Sequence, residues 1–163
     1  MNFSEYMSGA SKRKLLLDTN LLILYLVGSY DPERISLEKH TNIFNKDDFH
    51  LLRAFLQNFE LIVTPNILTE LANLMDTLNK KTEMRLFAYL STSIARWDES
   101  YIPSKDIHTP AFLKFGLADS VIHKLAEQGV IIMTVDFPLY HYLSGLNLAA
   151  INFNHLRSEL LLK

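Results

Sequence analysis

The stretch VIIMTVD, residues 130–136, contains the clearest strand signal in the sequence. All of its residues before Asp136 except Thr134 are apolar, and most are β-branched, which favours a strand. A continuous apolar run of this length is typical of a strand buried on both faces of a parallel sheet. Pro138 follows and is expected at the start of a helix. The stretch therefore predicts a buried parallel strand, an acid at its carboxyl end and then a helix.

Similar short apolar runs alternate with longer helical patterns along most of the chain. Residues 15–17 (LLL) and 61–63 (LIV) predict two strands, and residues 149–153 predict a last one. Thr64 and Pro65 are expected as the N-cap and first residue of the helix after the second strand. Strands that alternate with helices imply right-handed crossovers and a parallel sheet covered on both faces. The predicted fold class is α/β, a three-layer α/β/α sandwich with a central parallel sheet.

Apolar residues at three- and four-residue spacing predict the helices between these strands. Residues 21–27 are apolar on every side and predict a buried helix that ends at Gly28, followed by a loop over residues 29–46. Asp47 or Asp48 is expected to cap the next helix. The positions expected to face the core in the next three helices are Phe49, Leu52, Leu56 and Phe59; Ile67, Leu71, Leu74 and Leu78; and Met84, Phe87, Leu90, Ile94 and Trp97. A later helix is expected around residues 117–128, stopped by Gly129.

Composition limits the class of protein. The 163 residues fit a single domain, residues 1–163, since domains commonly hold roughly 100–200 residues. Hydrophobic residues make up 48% of the chain, which excludes intrinsic disorder and is compatible with a homodimer. The 16 basic and 18 acidic residues exclude a globally basic nucleic-acid-coating protein. The absence of cysteine excludes disulfide frameworks, Cys-ligated zinc and thiol catalysis.

Neither a membrane span nor a targeting segment is indicated. The longest purely apolar run, residues 21–27, is far shorter than the roughly 20 residues of a membrane helix. Residues 1–14 are polar and lack the apolar core of a signal peptide. We therefore expect a cytoplasmic protein with no membrane partner, and residues 1–13 as a flexible N-terminal arm.

Four carboxylates are expected to meet at one edge of the predicted sheet. Asp18 and Asp136 end two strands, and ligands in open parallel sheets bind beyond the carboxyl ends of the strands. Glu70 borders the buried face near the start of the helix after the second strand, and Asp119 lies in the first turn of its own helix. Each has a structural alternative: Asp136 as a helix cap, and Asp119 as an acid that complements the helix dipole.

Taken together, the four acids indicate a metal site. Clustered carboxylates without matching Lys or Arg repel one another and suit hard cations such as Mg²⁺ or Mn²⁺. A divalent metal in such a cleft can hold a phosphodiester and activate water for its hydrolysis. The chemistry indicated by the residues is metal-dependent hydrolysis of a phosphodiester.

Four segments, in this order and spacing, resemble those of the PIN-domain nucleases: LLLDTNLLI (15–23), TPNILTELANLM (64–75), GLADSVIHKLAEQG (116–129) and IIMTVDF (131–137). The resemblance implies the PIN α/β/α fold and an endoribonuclease that cleaves RNA with Mg²⁺ or Mn²⁺. It implies an acidic metal site formed by Asp18, Glu70, Asp119 and Asp136, supported by Asn20 and Thr134. Many small bacterial members resemble VapC-type toxins, whose partner is an inhibitory antitoxin protein.

One departure from the family pattern supports a different function. Many members carry a further acid shortly after the last aspartate, whereas Pro138 and Leu139 follow Asp136 here. The alternative is therefore a catalytically weak or inactive PIN-like scaffold that acts as a protein- or RNA-binding module.

Two other groups of residues are predicted to have structural roles. Lys12, Arg13 and Lys14 form the one basic run, which is expected to be a solvated tail, with phosphate contact as the minor alternative. The aromatic residues that follow Asp136 are expected in the core rather than in base stacking; they are Phe137, Tyr140 and Tyr142.

Overall fold

The computed structural model describes residues 12–78, 80–107 and 110–161, so residues 1–11 of the expected N-terminal arm lie outside it. The described chain forms five parallel strands in the order β3-β2-β1-β4-β5. The strands are β1 (Arg13–Leu17), β2 (Phe59–Val63), β3 (Asp98–Glu99), β4 (Ile131–Thr134) and β5 (Ala150–Asn152).

Seven α-helices in the described residues flank this sheet, which confirms the predicted α/β class and three-layer α/β/α sandwich. The helices are α1 (Thr19–Tyr30), α2 (Lys46–Leu56), α3 (Pro65–Met75), α4 (Lys80–Ile94), α5 (Pro110–Glu127), α6 (Phe137–Gly145) and α7 (Phe153–Leu161). Among the described residues, each helix is too short or too polar to cross a bilayer.

Strand β1 lies at the centre of the sheet and fixes where the two halves of the chain meet. Leu16 pairs with Ile62 of β2 on one side and with Ile132 of β4 on the other. Strands β2 and β3 lie in succession on one side of β1. Strands β4 and β5 lie in succession on its other side. The carboxyl ends of β1 and β4 therefore form the switch point, where ligands bind in open α/β sheets.

The beginning of β1 differs from the prediction. Arg13 and Lys14 belong to the strand rather than to a solvated tail, and the Lys14 ammonium lies 2.6 Å from the Asp98 carboxylate. Asp98 belongs to β3, which was not predicted because a strand of two residues is too short to produce an apolar pattern.

Gly28 does not end the first helix, as was predicted. Helix α1 continues to Tyr30, and Asp31 is its C-cap. A Cβ atom on Gly28 would lie 2.3 Å from Cδ2 of Phe49, so glycine is needed here for close contact between α1 and α2. The segment after α1 includes a 3₁₀ turn, Pro32–Arg34.

The cap of α2 is Asn45 rather than Asp47 or Asp48. The Asn45 side chain accepts from the Asp48 backbone N–H, and the Asp48 carboxylate accepts from the Asn45 N–H. This reciprocal capping box satisfies two backbone donors at the helix start. The predicted core position Phe59 lies in β2 instead of α2.

The predicted start of α3 is confirmed, because the Thr64 hydroxyl accepts from the Ile67 N–H and Pro65 is the first helical residue. Helix α3 ends at Met75, so Leu78 is buried just beyond it. The core face of α4 passes through Leu86 and Leu90, whereas Met84 was predicted to be buried and is 75% exposed. Trp97 lies beyond the end of α4 and is only partly buried.

Helix α5 contains a break that the sequence pattern did not predict. Gly116 has φ 81° and ψ −167°, so residues 117–127 form a separate helical segment with Asp119 in its first turn. Gly129, with φ 88°, follows the helix as predicted, and Pro138 lies in the first turn of α6. Helix α7 was not predicted.

Candidate functional site

The four predicted carboxylates line one cleft at the carboxyl ends of β1 and β4. The cleft has a volume of about 150 Å³, and none of the described residues that line it is basic. Its lining consists of the acids Asp18, Glu70, Asp119 and Asp136, the polar residues Thr19, Asn20 and Thr134, and the apolar residues Ile122 and Leu139. All six site residues predicted from the sequence therefore lie in this cleft, and Thr19 joins them.

Asp18 is the most enclosed of the four acids. One oxygen accepts from the Leu21 N–H at 2.8 Å, which makes Asp18 the N-cap of α1. The other accepts from the Thr134 hydroxyl at 2.5 Å and from the Val135 N–H at 2.9 Å. Burial raises the pKa of the Asp18 carboxyl, while these three hydrogen bonds act in the opposite direction. Asp18 is thus fixed in orientation by β4 and by its own helix.

Thr134 connects two of the acids. Its hydroxyl donates to Asp18 and accepts from the Asp136 N–H at 2.8 Å, and its side chain is fully buried. Asp136 also caps α6, since its carboxylate accepts from the Leu139 N–H at 2.8 Å. The structural alternative for Asp136 is therefore correct, and the same side chain also lines the cleft.

Glu70 is held by a residue that sequence reasoning did not identify as part of the site. The Thr19 hydroxyl donates to the Glu70 carboxylate at 2.8 Å and so joins the start of α1 to α3. Thr19 is not among the site residues predicted from the sequence. Its one available signal was its position directly after an acid at a strand end, and this is too common a feature to mark a site.

The Asp119 carboxyl is perturbed by burial and by all three of the other acids in the cleft. Burial, followed by repulsion from Asp136, Glu70 and Asp18, raises the pKa of its carboxyl to about 6 from the ordinary value of 3.8. Since the same three acids act on Asp119, the four carboxyl groups share one electrostatic environment. The cleft therefore concentrates acidic groups, and a bound cation would relieve their repulsion.

No family model matches the chain, and no curated protein matches it. Membership of the PIN-domain family therefore stays a prediction, which rests on the four segments quoted above.

The cleft side chains include the oxygen ligands that a divalent metal ion needs. Carboxylate oxygens are the ligands that Mg²⁺ and Mn²⁺ prefer, and a cleft with four acids and no basic lining residue has the charge to bind them. In the described part of the chain, however, no three His, Asp or Glu side chains are arranged as a complete ligand set. The residues thus fit a metal in charge and ligand type but do not form a closed coordination shell.

The aromatic residues after Asp136 do not share the core position predicted for them. Tyr142 packs against the core, but Phe137 is 60% exposed at the start of α6. The Phe137 ring stacks on His141 with centroids 6.0 Å apart. Phe137 faces solvent because it is the first residue of its helix, directly after Asp136, rather than part of an internal apolar stripe.

Proposed function

We propose that the protein is a metal-dependent endoribonuclease that hydrolyses RNA phosphodiesters in the cleft formed by Asp18, Glu70, Asp119 and Asp136. The observation that supports this function best is the convergence of four carboxylates at the switch point of the sheet, with no basic residue among those that line the cleft. Such a cleft requires an external cation to offset its charge. The resemblance to PIN-domain nucleases supports RNA as the substrate.

The four carboxylates would hold Mg²⁺ or Mn²⁺, which supplies Lewis-acid chemistry for attack of water on phosphorus. Thr134 and two backbone N–H groups orient Asp18, and Thr19 orients Glu70, so both acids are positioned before any ligand binds. Asn20 is exposed at the mouth of the cleft, where its amide can orient water or substrate. Because water rather than the ribose 2′-hydroxyl is the nucleophile, the products should carry 3′-hydroxyl and 5′-phosphate ends.

The deciding experiment is incubation of a mixed pool of single-stranded RNA with the purified protein in Mn²⁺ and in EDTA. We expect cleavage in Mn²⁺, no cleavage in EDTA, and no cleavage by the Asp18→Asn variant in either. Sequencing of the product ends tests the expected 5′-phosphate. Cleavage that persists in EDTA, or that Asp18→Asn leaves at the wild-type rate with an unchanged melting temperature, would contradict the proposal.

A second candidate function is a PIN-like scaffold that binds protein or RNA without catalysis. It is favoured by one observation, the lack of a complete three-ligand metal set among the described His, Asp and Glu side chains. Thermal unfolding separates the two candidates, since a ligand selective for the folded state stabilises it by about 2.7 kcal/mol at 100 times its Kd. A rise in melting temperature with millimolar Mn²⁺ supports the nuclease, and no change supports the scaffold.

The narrower predictions follow from the resemblance and the composition. If the protein is a VapC-type toxin, its partner is an inhibitory antitoxin protein. We also propose that the protein acts in the cytoplasm and forms a homodimer. Light scattering of the purified protein tests the homodimer, which a mass of one chain would contradict.

A further inference from the structure

A second, larger depression adjoins the acidic cleft. This groove has a volume of about 480 Å³ and lies between α3 and the part of α5 around Gly116. Glu70 lines both the groove and the cleft, so the two are continuous through this side chain. Its volume is within the range of about 300–1,000 Å³ that is typical of small-molecule sites.

One wall of the groove is a polar stripe on α3. Asn66, Glu70 and Asn73 are spaced at i, i+4 and i+7, which places them on one face of the helix, and all three line the groove. Within the described part of the chain, neither asparagine amide is engaged by another side chain or backbone group. Each amide offers both hydrogen-bond donors and an acceptor.

The other wall is apolar and aromatic. Phe115, Leu117 and Ala118 line it, and Leu117 is 40% exposed. The Phe115 ring is held by Tyr142, with centroids 5.1 Å apart, and by the Lys114 ammonium 4.9 Å from the ring centroid. The break at Gly116 separates Phe115 in this wall from Asp119 in the cleft.

We propose that this groove binds an unpaired nucleobase of the RNA whose phosphodiester occupies the acidic cleft. The inference rests on the proposed function and adds a base-binding subsite beside the acidic cleft. Asparagine amides match the donors and acceptors on base edges, and aromatic and apolar side chains contact base faces. The one charged residue that lines the groove is Glu70, at its junction with the cleft, so the groove accommodates a neutral group next to a charged one. In a duplex, the base faces are stacked on neighbouring base pairs, so they could not contact Phe115 and Leu117.

The test uses saturation-transfer NMR with adenosine, guanosine, cytidine and uridine in EDTA, and with ribose as the comparison ligand. We expect transfer to the base protons of at least one nucleoside and none to ribose. Asn73→Ala and Phe115→Leu should each weaken nucleoside binding about tenfold, through loss of a hydrogen bond or of ring contact. Asn42→Ala, at an exposed site in the segment before α2, is the matched control and should bind like the wild type.

The outcome is independent of the cleavage assay, because it requires neither metal nor catalysis. Transfer from no nucleoside, or transfer that both groove variants leave unchanged, would overturn the groove assignment even if Mn²⁺-dependent cleavage is observed. Nucleoside binding that is lost in Asn73→Ala supports the groove even if cleavage fails, and the failure then lies with the proposed nuclease. Because Phe115 contacts Tyr142, its variant is compared only if its melting temperature matches the wild type; Asn73 is exposed and needs no such check.

Discussion

Three acidic residues are each 6% exposed, but their surroundings differ between two regions of the molecule. In the first region, Asp48 accepts from the Arg157 guanidinium at 2.7 Å and Glu38 accepts from the Arg34 guanidinium at 3.0 Å. In the second, Asp18 has a hydroxyl and two backbone N–H groups as partners, and the charged groups that line its cleft are acids.

The difference shows how this fold treats buried acids. Asp48 and Glu38 are neutralised within the chain, because an unpaired buried charge is strongly destabilising. The cleft acids Asp18 and Glu70 are instead oriented by neutral donors, which supply no balancing cation. An unbalanced charge in such a cleft is costly, and the metal ion that we propose as the ligand of this site would offset it. The predictions that follow test this contrast.

The largest effect is expected from Asp119→Asn, which removes one of the uncompensated charges. RNA cleavage in Mn²⁺ should fall by more than about 100-fold, since loss of even an outer-shell partner of a metal site costs about 10–100-fold. The melting temperature should not fall, because the variant relieves repulsion. Asp76→Asn, an exposed acid at the end of α3, is the control and should cleave normally. Equal losses of RNA cleavage in Asp119→Asn and Asp76→Asn would contradict a special role for the cleft acids.

In the region where buried acids form ion pairs with arginine, we expect the opposite pattern. Substitutions there should lower the free energy of unfolding and leave RNA cleavage unchanged. Arg157→Met leaves Asp48 buried without its cation and should lower the free energy of unfolding by about 2–3 kcal/mol, measured by urea denaturation. Lys14→Met breaks the exposed pair with Asp98 and should lower the free energy of unfolding much less than Arg157→Met does. If Lys14→Met lowers the free energy of unfolding as much as Arg157→Met does, burial of the ion pair does not determine its contribution to stability.

Thr19→Val tests whether the hydrogen bond from the Thr19 hydroxyl to Glu70 contributes to metal binding. Without the Thr19 hydroxyl, Glu70 loses its hydrogen bond, and the affinity for Mn²⁺ measured by calorimetry should fall about tenfold. Thr92→Val on α4 is the control, because its hydroxyl bonds only the Tyr89 carbonyl. Unchanged affinity in Thr19→Val would mean that Glu70 is not a ligand.

The smallest expected effect is a pH dependence of stability in EDTA. The pKa of Asp119 is about 6 in the folded protein and near 3.8 when unfolded, so the folded state retains a proton that the unfolded state releases. The free energy of unfolding should therefore fall as pH rises from about 4 to 6, by about 1 kcal/mol after allowance for solvent screening. Urea unfolding of wild type and Asp119→Asn should show this slope only in the wild type. A parallel slope in the variant would assign it to other groups.

The strands and caps that the sequence marks strongly were predictable. The apolar stretch before Asp136 and the Thr64-Pro65 start of α3 were both found as expected. The sequence predictions were wrong where the role of a residue depends on its tertiary contacts rather than on its neighbours in the sequence. Gly28 has the residue type of a helix end, but it is needed for contact with the Phe49 ring. Likewise Met84 fits the spacing of a buried stripe but is exposed, and α4 presents Leu86 to the core together with Leu90, which was predicted there.

The cleft residues were predictable as a set because parallel strands place their carboxyl ends together. Asp18 and Asp136 follow directly from the strand pattern. What the sequence did not show is Thr19, whose contact with Glu70 joins residues 51 positions apart and leaves no local pattern. The groove lined by Asn66 and Asn73 was also missed, since its opposite wall depends on the break at Gly116.

The hydrogen bond from Thr134 to Asp18 joins residues 116 positions apart, and this has a consequence for biosynthesis. A growing chain that has emerged only as far as α5 already contains Asp18, Glu70 and Asp119. It still lacks β4 and the residue after it, Val135, which together supply two of the three hydrogen bonds to the Asp18 carboxylate. Such long-range pairings form late, since the intervening chain must be ordered first. A ribosome translating this protein therefore carries an unassembled cleft until β4 and Val135 have been synthesised, so incomplete chains lack the site of the proposed activity.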